Sequence, residues 1–156
     1  MRGNKKMKRI YVKEEWCLGC HLREYNCAFA NSGESDMVLA LKGKPIYPRI
    51  HVEGGEKITY AVSCRHCEDP ICLKSCIAGA ITHNEGVVKI DREKCVGCLT
   101  CVLVCPYGAL AAGEDGLMQK CELCLQNVCG APACVSGCPN GAIVYEETEA
   151  VQRSNT

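Results

Sequence analysis

The strongest constraint on this chain is where its sixteen cysteines fall among 156 residues. They form four groups. The first is Cys17, Cys20 and Cys27. The second, Cys64, Cys67, Cys72 and Cys76, has the spacing C-x2-C-x4-C-x3-C. The third, Cys95, Cys98, Cys101 and Cys105, has C-x2-C-x2-C-x3-C and is followed by Pro106. The fourth is Cys121, Cys124, Cys134 and Cys138, followed by Pro139, with Cys129 inside its loop. Cysteine at roughly 10% is the usual sign of a cysteine-dependent scaffold. One Phe, one Trp and six Tyr leave little material for a conventional aromatic core. Something other than side-chain packing must hold much of the fold together.

Disulfides and metal ligation compete to explain so many cysteines. Disulfide domains normally follow a secretory signal. The opening "MRGNKKMKRIYVKEEW" is basic and polar, and no apolar run approaches a transmembrane length. The expectation is a cytoplasmic chain whose cysteines bind metal. Eighteen basic residues balance eighteen acidic ones, which argues against a nucleic-acid partner. Arg2, Lys5, Lys6, Lys8 and Arg9 read as a solvated tail, or as a docking patch for a membrane surface or partner.

Three groups share an ending: "CIAGAI", "CPYGAL" and "CPNGAI". After the first, "AITHNEGVVKI" places Asn84, Glu85 and Gly86 between β-prone runs, a hairpin signature. "GALAAGEDGLMQ" returns in the same way through Gly113–Gly116. Apolar runs such as "CLKSC" and "CVLVC" suit one or two helical turns. The repeat is thus short helix, cysteine loop, short strand. Residues 31–63 break it, and read as an inserted extended segment or hairpin turning at Gly54–Gly55 that offers a partner contact or is a plain surface excursion. The expected organisation is one α+β domain over 1–150, with "YEETEAVQRSNT" a disordered or polar tail ending at 151–156.

The third group matches the bacterial ferredoxin run C-x2-C-x2-C-x3-C-P. Three thiolates at two-residue intervals wrap one corner of a cubane, and small residues between them let backbone N–H groups face the sulfurs. The fourth cysteine leaves that loop on a helical turn, and in two-cluster ferredoxins it ligates the other cluster. Zinc sites use separated C-x2-C knuckles instead, and a three-cysteine loop suits tetrahedral zinc poorly.

With "CLGCHLREYNCAFANSG", "YPRIHV", "CRHCEDPICLKSCIAGAI", "CVGCLTCVLVCPYGAL" and "KCELC…APACVSGCPNGAI", the chain from about Ile10 to Tyr145 resembles the four-cluster ferredoxin-like iron–sulfur subunits of the dimethyl sulfoxide reductase type. Within them it looks most like the electron-transfer proteins associated with carbon monoxide dehydrogenase. The resemblance implies two ferredoxin-like halves related by a pseudo-twofold axis, and nested ligation. Cluster a would be held by Cys64, Cys67, Cys72 and Cys105. Cluster b would take Cys95, Cys98, Cys101 and Cys76, and cluster c Cys121, Cys124, Cys134 and Cys27. Cys17, Cys20 and Cys138 remain for cluster d, with Arg23 where the family's fourth ligand stands. Three [4Fe-4S] clusters and one atypical cluster would supply the redox chemistry and much of the folding free energy.

Position 23 leaves three outcomes open. Cluster d is [3Fe-4S], or [4Fe-4S] with Cys129, His21, Glu24 or water as ligand, or it is lost. Arg23 itself stays protonated and is a poor ligand. The leading function is a non-catalytic electron relay, since no G-x-G-x-x-G nucleotide loop or nucleophile–base pair is evident. By resemblance its partners are a catalytic redox subunit, either carbon monoxide dehydrogenase or a tungsten or molybdenum enzyme (aldehyde oxidoreductase, formate dehydrogenase), and a flavin- and NAD(P)-dependent oxidoreductase, a hydrogenase or a ferredoxin. The rival classes are an enzyme with an open iron at cluster d and a purely structural scaffold. His21 and His66 sit inside cysteine loops and either hydrogen-bond cluster sulfur or face solvent. His51 and His83 are scattered. Lys74, Lys94 and Lys120 are each placed to tune a potential or meet a partner.

Overall fold

The computed structural model describes residues 7–125 and 130–148. Among these residues eight short strands pair into four two-stranded antiparallel sheets, joined by loops and short helices. Strand β1 (Met7–Val12) pairs with β8 (Ile143–Thr148), so the two ends of the described chain close on each other. Hairpins β2 (Ile50–Gly54) with β3 (Thr59–Ser63), β4 (Ile81–Asn84) with β5 (Val87–Ile90), and β6 (Leu110–Ala112) with β7 (Met118–Lys120) lie between them. The β4–β5 turn is Glu85–Gly86, with φ of 49° and 78°, the two left-handed residues a type I′ hairpin turn requires.

Helices α1 (Leu22–Ala30) and α5 (Ala133–Ser136) pack together beside β1 and β8, and so do α3 (Ile71–Lys74) and α4 (Thr100–Val104) beside β4 and β6. The first and fourth cysteine groups therefore share one half, the second and third the other. A Cβ on Gly137 would collide with the Asn26 side-chain amide, so the side chain of α1 at this crossing lies against bare backbone at the end of α5. The cores are small and rich in sulfur. Ile81, Val88, Leu110 and Met118 pack with Cys101, while Ile50 and Ile143 pack with Cys27 and Cys134. Val87 and Leu123 pack with Cys121.

Three expectations are corrected here. Tyr145–Thr148 is not a tail but most of β8, held because β1 supplies its ladder partner. Arg9 is not solvated: it is 5% exposed, and its guanidinium donates to the carbonyls of Gly86 at 2.7 Å and His66 at 3.3 Å, tying β1 to the opposite half. The segment 31–63 holds the β2–β3 hairpin as expected, but also a helix, α2 (Met37–Leu41). Asp36 caps it, its carboxylate accepting from the N–H groups of Val38 at 2.8 Å and Leu39 at 3.0 Å. Arg2, Lys5, Lys6 and Cys129 lie outside the described residues.

Candidate iron–sulfur centres

The cysteine loops share a backbone device. Within "CLGC" and "CVGC", Gly19 and Gly97 have φ of 63° and 66°. Left-handed residues then start the helices, His21 at φ 59° ahead of α1 and Leu99 at φ 60° ahead of α4. In the second group His66 has φ of 48°, and in the fourth Leu123 and Cys124 have 64° and 48°. These reversals turn each loop back on itself and bring backbone N–H groups toward its thiols. His66 N–H, for example, lies 3.4 Å from Cys64 Sγ.

Thiols far apart in sequence are brought together. Cys27, Cys121, Cys124 and Cys134 line one cavity of ≈ 480 Å³. Burial, then the neighbouring Cys121, Cys27 and Cys124, push the Cys134 thiol far up. Burial also pushes Cys121 to about 12, with Cys27 adding and a Leu123 N–H and Lys120 opposing. Cys27 is raised by burial and by Cys124, against the Arg49 N–H that donates to its sulfur at 3.2 Å. Cys76, Cys95, Cys98 and Cys101 line a second, small cavity. Cys101 is raised first by burial, with Cys76 and Cys95 adding. Cys72 is pushed to about 11 by burial, Cys64 and, more weakly, Cys105. Cys67 lies in the same loop as Cys64, half-buried.

Cys138 behaves oppositely. Burial would raise it, but N–H donors from Ile143, Ala142 and Asn140 and the charge of Arg23 hold it below its ordinary value. Arg23 is 3% exposed and donates from Nη2 to Cys17 Sγ at 3.0 Å. Cys17, Cys138 and Arg23 thus meet in one place. Cys20, exposed, belongs to the same loop. Of the other residues singled out, His21 is exposed and bonded through Nδ1 to Glu24 Oε2 at 2.5 Å. Glu24 Oε1 accepts the Val52 N–H at 2.7 Å. His66 is wholly buried, its Nδ1 accepting from Val88 N–H at 3.1 Å, which puts the proton of a neutral ring on Nε2. His51 pairs in the β2–β3 ladder, and His83 in β4. Lys74 and Lys94 are solvent-facing partners of Asp69 and Asp91. Lys120 differs from both in being 1% exposed.

The donor set fits an iron–sulfur group. Four soft sulfur donors surround a space larger than a single ion, and the raised pKa values of Cys27, Cys121 and Cys134 mean that burial and mutual repulsion await a cationic centre. Among the described residues no three His, Cys, Asp or Glu side chains are gathered tightly enough for one metal ion. Residues 57–148 match the family described as the 4Fe-4S dicluster domain. The chain belongs to that family. UacF of Escherichia coli K12 is 35% identical over 94% of this chain, which spans only 22% of that relative's length. The electron transport protein HydN of the same organism is 36% identical over 82% of this chain and 81% of its own. The fold also matches a solved chain of the active-site complex BamBC of benzoyl coenzyme A reductase, with a TM-score of 0.51 at 20% identity, covering 93% of this chain and 82% of that one. Among the described residues no helix is long and apolar enough to cross a membrane.

Proposed function

We propose that this dicluster-family chain is a non-catalytic electron carrier holding four clusters in the nested arrangement a to d. The observation that carries the reading is the cavity lined at once by Cys27 and by Cys121, Cys124 and Cys134, thiols from opposite ends of the sequence. Clusters bound at such sites would supply one-electron oxidation and reduction. The chain itself contributes spacing, burial and charge. Cys64 packs against the cluster of buried residues that holds Cys121, which supports sites c and a as neighbours across the two halves. Sites d and c share one half, and a and b the other, giving the order d–c–a–b. The two exposed thiols among the described residues, Cys20 and Cys98, belong to the end sites of that order, while Cys27, Cys121 and Cys134 of site c and Cys101 of site b are buried.

Each exposed end also carries apolar side chains that suit partner contact. Leu18 is 70% exposed beside Cys20, and Val96 is 65% exposed beside Cys98. A catalytic redox subunit would meet one end and a flavin- and NAD(P)-dependent oxidoreductase, hydrogenase or ferredoxin the other. Carbon monoxide dehydrogenase or a tungsten or molybdenum enzyme is the catalytic partner the sequence resemblance favours. HydN's name, an electron transport protein, supports the carrier role. UacF supports work inside a larger redox assembly, because a segment of this kind is there part of a much longer chain. The pseudo-twofold relation of the halves belongs to the same reading. The test is anaerobic purification with iron and acid-labile sulfide analysis and dithionite titration. Dithionite-bleachable absorbance with iron and sulfide in near-equal amounts is expected; bound zinc without iron refutes the reading.

A further inference from the structure

Residue 23 stands where the third loop has a thiol. "CLGCHLR" and "CVGCLTC" follow the same backbone path: Gly19 and Gly97 at φ of 63° and 66°, then His21 and Leu99 at 59° and 60°. The helix begins one residue later in both, and its second residue turns inward, Arg23 at 3% exposure and Cys101 at 6%. Arg23 is therefore not a surface residue that replaced a ligand and left. Its guanidinium occupies the ligand's place.

A buried guanidinium is costly unless anions surround it. Here Nη2 donates to Cys17 Sγ at 3.0 Å, and Nη1 is buried with no hydrogen-bond partner. Its charge acts on Cys138, a second thiol of the same site. No carboxylate is paired with it in the structure's ion pairs among the described residues. The nearest acid in sequence, Glu24, is engaged by His21 and by Val52 N–H. Those bonds commit both oxygens of Glu24 and the Nδ1 of His21, whose ring is half-exposed. A guanidinium has five N–H donors, no lone pair to give a metal, and does not deprotonate. It repels a cation and attracts an anion at the corner it fills.

Resting on the relay reading above, we propose that Cys17, Cys20 and Cys138 hold a three-iron [3Fe-4S] cluster, and that Arg23 is its positioning residue, its free Nη1 donors facing the sulfide corner where a fourth iron would stand. The site is a built three-thiolate site with a cationic cap. No substrate reaches an open iron there, because the guanidinium already fills that corner.

The experiment uses the full chain, purified and reconstituted anaerobically, with EPR and Mössbauer spectra, iron counting and redox titration. The oxidised protein should show the near-isotropic EPR signal of a [3Fe-4S] centre beside EPR-silent [4Fe-4S] clusters. Arg23→Cys should abolish that signal and raise the iron content by one atom per chain. Arg23→Gln, which keeps a donor but removes the charge, should retain the signal and lower its midpoint potential. Arg23→Lys, retaining charge in a shorter fork, should lower it less. The proposal is overturned if the wild type shows only [4Fe-4S] clusters, with Cys129 or solvent completing site d. It is equally overturned if site d stays empty while the others fill, or if Arg23→Cys folds and leaves the spectrum and iron count unchanged. In each of these cases iron at sites a to c leaves the relay reading standing; a chain that binds no iron fails that reading instead.

Discussion

Lys120 is the most informative single perturbation. It ends β7 at 1% exposure, and its ammonium donates to the Val88 carbonyl in a very short bond and to the Cys121 carbonyl at 2.9 Å. Both partners are neutral, so the charge is offset only by what lies beyond them. It lowers the pKa of Cys72, in site a, and of Cys121, in site c. One buried cation therefore acts on thiols of both sites proposed for the middle of the relay. At roughly 7 Å and an effective dielectric constant of about 20, a unit charge contributes about 2–3 kcal/mol to each added electron. With about 1.4 kcal/mol per 59 mV for one electron, that is roughly 90–130 mV. Lys120→Gln keeps a donor and removes the charge. It should lower the midpoint potentials of clusters a and c by that order, shift b and d much less, and slow electron passage through the middle of the chain. Lys120→Arg should stay near wild type and controls for packing. Anaerobic potentiometric titration followed by EPR is the assay. With all clusters present, a shift under about 20 mV at a and c, or an equal shift at all four, refutes the electrostatic reasoning.

Other consequences are more local. Gly137→Ala should destabilise the cluster-loaded chain by about 0.5–1.5 kcal/mol in chemical denaturation, because the Asn26 side chain must swing away from the new methyl and lose its bond to the Leu22 carbonyl; in an Asn26→Ala background the further cost of Gly137→Ala should be close to zero. In the metal-free chain, the Cys121 thiol is raised from 9.0 to about 12, so the folded form holds its proton longer than the unfolded form. That stability is fully present below about pH 9 and lost as pH rises toward 12, so the melting temperature of the apo chain should fall across that window. A flat profile in an apo chain that still melts cooperatively would contradict the burial of this site. Arg9→Ala should lower stability by about 1.5–3 kcal/mol, read from denaturant midpoints, since the buried His66 carbonyl and the half-buried Gly86 carbonyl lose a charged donor.

The local pieces of this fold are legible in the sequence because they rest on local chemistry. The Glu85–Gly86 turn, the Gly54–Gly55 return and the one-turn helices inside "CLKSC" and "CVLVC" need no distant partner. Elements that depend on a partner are not legible. "YEET" looks like a polar tail until β1 lies beside it, and Arg9 looks solvated until β1 carries it across to Gly86. Lys74, Lys94 and Lys120 are alike in sequence, each close to a cysteine. Only the β6–β7 hairpin packed against β5 buries the last of them. Helix α2 has one local sign, Asp36 as an N-cap ahead of "MVLAL", but it is a single short turn inside a segment whose other runs favour strands. At the candidate site, spacing marks the loops, but nothing in the spacing of "CLGCHLREYNC" says that Cys27 turns toward residues nearly a hundred positions later. The meeting of Cys27 with Cys121, Cys124 and Cys134 is a property of α1 packed on α5. Arg23 was visible as a departure from the pattern; its burial and its bond to Cys17 were not.

The nested pairing of distant cysteines is the central claim, and Cys27→Ser against Cys134→Ser tests it most directly. The two substitutions lie in different groups, so Mössbauer and EPR spectra of the two anaerobic variants decide whether they act on one cluster. The account predicts that both perturb the same [4Fe-4S] centre and leave the site of Cys17, Cys20 and Cys138 intact. Perturbation by Cys27→Ser of the Cys17–Cys20 centre, with the cluster touched by Cys134→Ser unaltered, would contradict it.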